Sequence, residues 1–340
     1  MKPVEKINID GFEIGGDQTF VIAEIGSNHN QSLPFAFESI DAAKESGANA
    51  VKFQSLNLKE LYYDPSDKII ALHKKIDLEE SWHLELKNYC DKKRITFFSS
   101  PTYLKSVDIL ESVNVSLYKL ASAQIGTFPQ IIEKVALTGK PVIMSTGLVS
   151  YGELESVVNI FNRSGNNKYI ILHCNSIYPT PFDMVALDLM ETYSKMFGCI
   201  TGFSDHTDGI AVALAAVSLG AKVIEKHFVL DKNIPSPDAA SSIEPKEFKE
   251  LVSGIRAVEK STKKNFRTEI YPEEQSFKDI ILYRLILKEN KKKGEIVTKD
   301  DFNYLRSAKG IDCRMENTLS GKKYAKDILK GTLLENKDIE

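Results

Sequence analysis

Eight short apolar runs recur between residues 20 and 260, and each is followed by a longer amphipathic stretch. The runs are FVIAEIG, NAVKFQ, ITFFSS, LYKLAS, PVIMSTG, YIILHCN, CITGFSDH and KVIEKHF. Runs of this length favour buried strands, and stretches such as SLPFAFESIDAAKESG have helical periodicity and end in glycine, as helices often do. Eight strand–helix units over roughly 250 residues predict a (β/α)8 barrel. A doubly wound sheet is the alternative, but no GxGxxG motif follows the first run.

Composition excludes several classes of protein. The chain is 42% hydrophobic and 27% charged, with a net charge of -3 and four scattered cysteines without a CxxC pair. This balance gives no nucleic-acid signature, and the cysteines indicate neither a zinc knuckle nor a disulfide framework. No segment approaches the roughly 20 apolar residues that cross a bilayer, and the N-terminal sequence lacks the apolar run of a secretory signal. We therefore expect a reduced, cytoplasmic protein that binds neither nucleic acid nor membrane.

Polar side chains stand at or near the C-terminal ends of the predicted strands. They are Glu24, Lys52, Gln54, Ser99, Lys119, Ser122, Ser145, Asn175, Ser204, His206 and His227. Because the strand ends of a barrel converge on one face, where catalytic groups lie, these side chains are expected to form one site. Glu225, Lys226 and His227 follow one another in the last strand, and we expect all three to reach that site.

Four of the six histidines lie at or just beyond predicted strand ends. His206 and His227 leave neighbouring strands, so both imidazoles could bind one divalent metal. Two histidines alone are a weak metal signal, and hydrogen-bonded core histidines are the alternative. Asp205, Glu225 and Lys226 favour the metal, because a plain core rejects charge. His173 is instead predicted to be a satisfied residue of the barrel interior.

Lys52 and Lys119 come from the second and fourth predicted strands and are expected to point toward one mouth. Three serines accompany them: Ser122, Ser145 and Ser204. This set suits a phosphate or carboxylate, because ammonium groups offset the anionic charge and hydroxyls donate to the oxygens. The alternative is that each lysine pairs with a barrel carboxylate such as that of Glu24. An anionic substrate beside a divalent cation accounts for more of these residues.

Several longer motifs carry a family resemblance. They are AEIGSNHN, VKFQ, YKLAS, STG, LHCNSIYPTP, GFSDHTDG and IEKHFVLD, followed by PSPDAASSIEPKEF. In order and spacing the chain resembles the sialic acid synthase family, which includes legionaminic and pseudaminic acid synthases, over essentially its whole length. The resemblance implies a TIM barrel that condenses phosphoenolpyruvate with an N-acylated mannosamine-type aldose. The products are a nine-carbon 2-keto-3-deoxy acid and phosphate, and the metal is Mn2+ or Mg2+.

The C-terminal segment contains two related arms, GEIVTKDDF at 294–302 and GTLLENKDI at 331–339. They share glycine, two apolar residues and an Asp-apolar ending at equal spacing, which indicates a small module with internal symmetry. This module resembles the antifreeze-like (SAF) domain of the family. The predicted division is a TIM-barrel catalytic domain at 1–262, a linker at 263–280 and the antifreeze-like domain at 281–340. The resemblance implies a domain-swapped homodimer in which this domain delivers Arg306 to the partner's sugar; the alternative is a solvated surface arginine.

Matched position by position, the resemblance assigns roles to single residues. His206 and His227 would be the metal ligands, and Glu24 would steer the water that adds at C2, or its proton. The residues that resemble the phosphoenolpyruvate cradle are Lys52, Lys119, Ser122, Ser145, Ser176 and Ser204. Those that resemble the groups around the sugar are Glu24, Gln54, Gln124, Tyr178, Asp238 and Arg306. The expected catalytic set is Glu24, Lys52, Lys119 and Asp238.

Some positions depart from the family pattern. Gln124 stands where the family usually has an acid, Gln31 replaces the glycine of NHNG, and Ala239 replaces a basic residue. Because these changes lie on the predicted sugar side, we expect an altered aldose, such as a deoxy diacetamido sugar. Two other functions stay open. Another phosphoenolpyruvate-dependent keto-acid synthase would share the barrel without needing the C-terminal module, and a non-catalytic carbohydrate-binding paralogue would explain Gln124 but not the retained lysines and histidines.

Overall fold

A computed structural model describes residues 2–262 and 267–340 of the chain. The chain divides into two units, Met1–Lys263 and Lys264–Glu340. Residues 263–266 of the predicted linker lie outside the described residues. Most of the remaining linker is not a plain connector, because it belongs to the helix Pro272–Ile281. A proline at the helix start and two glutamates in the first turn favour that helix.

The first unit begins with a short antiparallel hairpin, β1 (Ile7–Ile9) and β2 (Phe12–Ile14). Its isoleucines pack inside the barrel against the first residues of the barrel strands, including Phe20. Asp10 and Gly11 form the turn, with φ of 47° and 89°. An Asp-Gly pair between alternating apolar residues is a strong hairpin signal. The hairpin is nevertheless not among the predicted elements, because each of its strands is only three residues long.

Eight parallel strands follow in the first unit. They are β3 (Phe20–Gly26), β4 (Ala50–Ser55), β5 (Thr96–Pro101), β6 (Tyr118–Leu120), β7 (Val142–Ser145), β8 (Tyr169–Cys174), β9 (Ile200–Asp205) and β10 (Val223–His227). Their hydrogen-bonded order is β5-β4-β3-β10-β9-β8-β7-β6. Because β5 and β6, at the two ends of this order, also contact each other, the sheet closes on itself. The predicted (β/α)8 TIM barrel is confirmed.

Helices follow the barrel strands. They are α1 (Leu33–Glu45), α2 (Leu58–Leu61), α3 (Asp67–Ile76), α4 (Trp82–Lys93), α5 (Leu104–Ser112), α6 (Pro129–Leu137), α7 (Tyr151–Arg163), α8 (Leu189–Phe197), α9 (Ala211–Ser218) and α10 (Pro245–Ser261). Local sequence fixes several helix starts: Ser32 caps α1, and Ser150 and Glu153 form a capping box on α7. Among the described residues, no helix combines the length and the apolar composition that a membrane span needs.

Side chains of the barrel strands alternate between the barrel interior and the outside that the helices cover. In β10, Val223 belongs to the interior cluster and Ile224 to the outer cluster. The same alternation carries Glu225 and His227 inward and Lys226 outward. Both faces of the barrel strands are buried. The sequence of each strand is therefore a continuous apolar run up to its C-terminal end. The inward polar side chains therefore meet at that end of the barrel.

The second unit contains the two arms predicted from the sequence. Its regular elements are α11 (Pro272–Ile281), β11 (Tyr283–Leu287), β12 (Phe302–Arg306) and α12 (Glu316–Leu319). Each arm forms a 3-10 helix with a capping box and a buried aspartate. Asp301 lies 2.7 Å from Lys291 Nζ, and Asp338 lies 2.8 Å from Lys326 Nζ. The two arms thus share their local structure.

Candidate active site

A cavity of about 270 Å³ opens at the C-terminal ends of the barrel strands. The predicted site residues that line it are Glu24, Lys52, Gln54, Lys119, Ser122, Ser145, Ser176, Tyr178, Ser204, His206 and His227. Glu225 also reaches the cavity, as expected for an inward position of β10, and Cys174 lines it without having been predicted. The strand-end pattern therefore brings most of the predicted barrel residues together.

Glu225 is the centre of a buried network of charges. Its Oε1 accepts hydrogen bonds from Lys119 Nζ at 2.5 Å and from Ser204 Oγ at 2.9 Å. Its Oε2 lies 3.1 Å from Lys52 Nζ, which also lies 3.3 Å from Glu24 Oε2. All four charged side chains are at most 5% exposed. Both lysines thus pair with a carboxylate, as the alternative expected, and Glu225 is the carboxylate that they share. Their binding of an anionic substrate stays a prediction.

Burial and pairing shift the pKa values of these groups in different directions. Burial lowers the pKa of Lys52, but Glu225 and Glu24 outweigh burial and hold that pKa above its ordinary value. The pKa of Lys119 falls to about 8. Burial lowers it more than the attraction of Glu225 raises it, and repulsion from Lys52 lowers it further. Burial alone would raise the pKa of Glu225, yet the two lysines hold it well below its usual range. Glu225 is therefore ionised.

Glu24 is a buried carboxyl group whose pKa shifts the opposite way. Burial raises its pKa, Lys52 opposes the rise, and Glu225 adds to it. Gln54 Nε2 donates a hydrogen bond to Glu24 Oε1 at 2.7 Å and fixes the carboxyl group. Gly26 turns the backbone beside it with φ of 52°, and a Cβ at that position would lie 2.9 Å from Oε1. A carboxyl group with a raised pKa in a cavity is suited to hold and release a proton.

His206 and His227 lie side by side, with ring centroids 5.3 Å apart, and the ring of Tyr178 lies 4.1 Å from that of His206. His206 Nδ1 is 2.6 Å from the backbone oxygen of Asn175. Burial, with repulsion from His227, lowers the pKa of His206 to about 3, so its ring is neutral. Asn175 acts here through its backbone, because its side chain donates to the carbonyl of Met184.

These two imidazoles fit a divalent cation. Because Nδ1–H of the neutral His206 donates to a carbonyl, its Nε2 lone pair remains for a metal. His227 Nδ1 is buried without a hydrogen-bond partner, and Asp238 Oδ2 lies 3.8 Å from it. Within residues 2–262 and 267–340, no group of three or more His, Cys, Asp or Glu side chains is arranged to hold a metal. His206 and His227 are the side chains that would hold such a cation.

Lys226 does not reach the cavity, contrary to the prediction for the three consecutive residues that end β10. Its Nζ lies 2.8 Å from Asp205 Oδ2 and also donates to the carbonyl of Thr207. Both charged side chains are 0% exposed. The pair is a structural contact outside the barrel, because alternation along the strand turns these two positions outward. The prediction that Lys226 reaches the site is wrong, and the charge of Asp205, which was taken to favour a metal, belongs to this buried ion pair instead.

Two further predictions fail for the same physical reason. Ser99 does not line the cavity, and its Oγ lies 2.8 Å from Ser55 Oγ in a buried pair of hydroxyls. His173, predicted inside the barrel, lies outside it: its Nε2 contacts the carbonyl of Val185, and its ring stacks on Phe203 at 5.7 Å. A step of one residue along a strand changes the face on which a side chain lies.

A second chamber, of about 650 Å³, holds the other two predicted barrel residues, Gln124 and Asp238. It adjoins the cavity, because Gln54 lines both spaces. Asp238 Oδ2 accepts a long hydrogen bond from the N–H of Ser27 at 3.4 Å. Gln124 is 9% exposed, and its Oε1 is buried without a hydrogen-bond partner. The cavity and the chamber together contain every barrel residue to which the family resemblance assigns a role.

Arg306 is the one predicted site residue that belongs to the second unit. It ends β12, where its side chain is exposed and its guanidinium lies 5.4 Å from the ring centroid of Tyr283. Its delivery to a sugar stays a prediction.

A protein-family model described as the NeuB family matches residues 39–266. The chain belongs to the NeuB family. The matched range includes every residue that lines the cavity except Glu24. The match therefore covers seven of the eight barrel strands and all of the cavity lining but Glu24.

Relatives extend the similarity to nearly the whole chain. The N,N'-diacetyllegionaminic acid synthase of Campylobacter jejuni is 35% identical over 93% of this chain and 99% of its own length. The pseudaminic acid synthase of Helicobacter pylori is 33% identical over 94% of this chain and 97% of its own. The crystal structure of the N-acetylneuraminic acid (sialic acid) synthetase from Leptospira borgpetersenii, in complex with citrate, has a TM-score of 0.74 and 33% identity, over 82% of this chain and 96% of that one. The predicted sialic acid synthase family is confirmed, and this NeuB-family chain is an enzyme of that synthase type.

Proposed function

We propose that the chain condenses phosphoenolpyruvate with an N-acylated amino aldose to give a nine-carbon 2-keto-3-deoxy acid and inorganic phosphate. Its relatives are named as synthases of N,N'-diacetyllegionaminic acid and pseudaminic acid. One observation of the structure carries the proposal: two buried lysines, four serines and two neighbouring imidazoles meet in one cavity. Lysines and hydroxyls suit an anionic enol phosphate, and the imidazoles suit a cation beside an aldehyde.

The lysine side of the cavity would hold phosphoenolpyruvate. Its residues are Lys52, Lys119, Ser122, Ser145, Ser176 and Ser204. Lys52 and Lys119 present two ammonium groups beside the ionised carboxylate of Glu225, and the raised pKa of Glu24 weakens its own offset of that positive charge, which suits an anionic substrate. Ser145 Oγ is buried without a hydrogen-bond partner, so a ligand oxygen would satisfy it. Glu225 would act by holding both lysines in place.

The imidazole side would hold a divalent cation, Mn2+ or Mg2+, on His206 and His227. A bound cation supplies charge that polarises the aldehyde oxygen of the aldose and stabilises the negative charge that develops there. The neutral ring of His206 and the unpartnered Nδ1 of His227 support this assignment.

The chain's own residues would orient the reactants and handle the protons. C3 of phosphoenolpyruvate forms a bond to the aldehyde carbon, and the aldehyde oxygen takes up a proton. Water adds to C2, and in net its two protons go to the former aldehyde oxygen and to the departing phosphate. The bond between C2 and the oxygen that bridges to phosphorus breaks, which leaves a ketone and releases phosphate. Glu24, held by Gln54 and with a raised pKa, would hold or move the proton of that water. Lys52 and Lys119 would offset the charge of the leaving phosphate.

The sugar would extend from the imidazoles into the second chamber. The proposed contacts are Gln54, Tyr178, Asp238 and Gln124, with Asp238 also in the catalytic set. The second unit would be an antifreeze-like domain, and Arg306 would reach the sugar of a partner chain in a domain-swapped homodimer. The family resemblance and the exposed end of β12 support this part of the proposal.

Phosphate release tests the proposed function. The enzyme is incubated with phosphoenolpyruvate, Mn2+ and a panel of aldoses, and we expect phosphate and an equal amount of a new acid with N-acylated amino aldoses. Release with a four-carbon or five-carbon aldose phosphate instead would favour another keto-acid synthase. Aldose binding by calorimetry without any release would favour a non-catalytic carbohydrate-binding protein.

A further inference from the structure

A row of three buried polar side chains lies on the outer side of the barrel, behind the end of β4. Ser55 Oγ lies 2.7 Å from His83 Nε2 and 2.8 Å from Ser99 Oγ. His83 belongs to the first turn of α4, and its Nδ1 lies 3.0 Å from the backbone oxygen of Glu80. Ser55, Ser99 and His83 are each 0% exposed, and they line neither the cavity nor the chamber. These three residues, the His83 row, are therefore out of reach of a substrate.

The tautomer of His83 fixes the direction of every hydrogen bond in the row. Burial lowers the pKa of His83, although the carbonyl of Glu80 opposes that shift, so the ring is neutral at neutral pH. A carbonyl oxygen only accepts, so Nδ1 carries the ring proton and Nε2 is an acceptor. The hydroxyl of Ser55 must then donate to Nε2, and its oxygen accepts the hydroxyl proton of Ser99. Without an acceptor at position 83, the Ser55 hydroxyl would lose the partner that orients it.

The row holds the last residues of β4. The pairing of β4 with β3 ends at Phe53, whereas its pairing with β5 continues to Ser55. Gln54 is therefore paired with a neighbouring strand on one side, and its placement depends on further contacts. Ser55 provides two of them, because its hydroxyl joins the row and its backbone oxygen accepts a hydrogen bond from Thr102 Oγ1 at 2.6 Å. The position of the end of β4 thus depends on the acceptor that His83 supplies.

Gln54 connects this strand end with the proposed chemistry. Successive side chains of a strand point to opposite faces, so Ser55 joins the row outside the barrel while Gln54 lines the cavity. Gln54 Nε2 donates to Glu24 Oε1 at 2.7 Å. A misplacement of about 1 Å in a group that positions reactants can lower a rate roughly a hundredfold. A loosened end of β4 would therefore displace the Glu24 carboxyl group, although His83 itself contacts no substrate.

We propose that His83 is a positioning residue for the carboxyl group of Glu24. It acts through Ser55, which holds the end of β4, and through Gln54, which donates to that carboxyl group. The inference rests on the function proposed for the cavity, in which Glu24 holds or moves the proton of the water that adds to C2. It assigns a role to a helix residue that no strand-end motif includes, and it makes Ser99 the donor at the other end of the row.

Substitutions at position 83 test the proposal by phosphate release with phosphoenolpyruvate, Mn2+ and a panel of N-acylated amino aldoses. His83→Phe keeps a ring but removes both hydrogen bonds, so kcat should fall roughly ten- to a hundredfold. The KM for phosphoenolpyruvate should stay within roughly threefold, because the residues proposed to hold it are unchanged. His83→Gln supplies an amide oxygen that can accept from Ser55, and it should recover most of the lost kcat. A kcat near that of the wild type in folded His83→Phe would overturn the proposal.

A double-mutant cycle tests the route of the effect. Gln54→Leu removes the donor to Glu24 at similar size. In that background His83→Phe should lower kcat by less than roughly twofold, since the contact through which it acts is already gone. A merely structural role of His83 predicts instead that the two losses multiply, and that result would refute the positioning role.

Two further variants separate positioning from folding, which is checked by melting temperature. Ser55→Ala removes the middle hydroxyl of the row, and it should reproduce the loss of kcat even if His83→Phe fails to fold. His173→Phe is the matched control, because His173 is 2% exposed, lies outside the barrel and also contacts a carbonyl. It should lower the melting temperature and keep kcat within roughly twofold of the wild type. An unchanged kcat in folded Ser55→Ala would overturn the proposal. No phosphate release by the wild-type enzyme with any aldose of the panel would refute the function proposed for the cavity, and this inference with it.

Discussion

Two buried glutamates, Glu24 and Glu225, lie near the ends of neighbouring strands of one barrel, and yet their pKa values shift in opposite directions. Glu225 contacts two lysines, and its pKa is lowered, whereas Glu24 contacts one, and burial raises its pKa. Carboxyl groups whose pKa values are pushed apart in this way mark a proton carrier and a fixed charge. Glu24 is therefore the candidate proton carrier, and Glu225 holds the two lysines in place.

The metal assignment predicts the effect of chelation. A chelator should abolish phosphate release and Mn2+ should restore it, because the stabilisation of charge on the aldehyde oxygen is lost and regained. His206→Ala and His227→Ala should each lower kcat roughly a thousandfold or more with the fold retained. His173→Gln is the matched control, since that ring lies outside the barrel. Full activity of the metal-free enzyme would rule the assignment out.

The lowered pKa of Lys119 predicts a dependence on pH. Lys119 is charged below about pH 8 and loses its proton above that value, so kcat/KM for phosphoenolpyruvate should fall as the pH rises through about 8. Lys119→Arg should lose this fall, because a guanidinium stays protonated. Lys52→Arg should keep it, since the pKa of Lys52 is raised. A wild-type profile that is flat from roughly pH 7 to roughly pH 10 would contradict the role of Lys119 as the titrating cation.

At the scale of elements, the alternation of β10 decides which of three adjacent polar residues take part in chemistry. Glu225 and His227 face the cavity, while Lys226 forms a fully buried pair with Asp205 outside the barrel. Neighbouring residues of one strand thus serve function and stability separately.

This separation predicts opposite effects for neighbouring substitutions. Lys226→Met should lower the free energy of unfolding by about 3 kcal/mol, because it leaves Asp205 as an uncompensated buried charge. The kcat of the folded variant should stay near that of the wild type, whereas Glu225→Gln should lower it. Lys232→Met, which breaks an exposed pair, should cost less than about 1 kcal/mol. Urea unfolding and phosphate release measure both quantities; a loss of kcat without loss of stability in Lys226→Met would contradict the account.

The barrel could be predicted because each strand is a local apolar run and each helix carries its own caps and period. The sequence does not predict which strand-end side chains point into the barrel. In a strand that is buried on both sides, the apolar pattern does not distinguish the inside of the barrel from the outside. The predicted positions of Ser99, His173 and Lys226 are wrong for this reason. The contact of His73 Nδ1 with Asp77 Oδ1, beside the second chamber, could not be predicted either, because it depends on how α3 packs near the barrel mouth.

At the scale of the whole molecule, the proposed dimer assigns parts of one site to two chains. The second unit has its own apolar core and two similar arms, and Arg306 is exposed at the end of its hairpin. Each site would then combine the barrel of one chain with the arginine of the other. A mutation in the barrel and a mutation of the arginine can therefore be placed on different chains of one dimer.

Complementation tests this assignment. His206→Ala and Arg306→Ala should each be inactive, and equal amounts refolded together should recover roughly a quarter of wild-type activity. Random pairing makes about half of the dimers mixed, and each mixed dimer has one intact site of two. If Arg306 served its own chain, every site would keep one lesion. No recovery, in dimers shown to have exchanged subunits, would refute the exchange of domains and leave the barrel chemistry standing.

We propose that phosphate leaves by breaking the C2–O bond after the carbon–carbon bond has formed. Isotope labelling tests this order and this bond directly. Phosphoenolpyruvate carrying 18O in the oxygen between C2 and phosphorus is incubated with the enzyme, Mn2+ and the preferred aldose, and the released phosphate is analysed by mass spectrometry. We predict that phosphate is released only when the aldose is present, and that it carries the 18O label. Release without an aldose, or unlabelled phosphate produced by breaking the P–O bond, would contradict it.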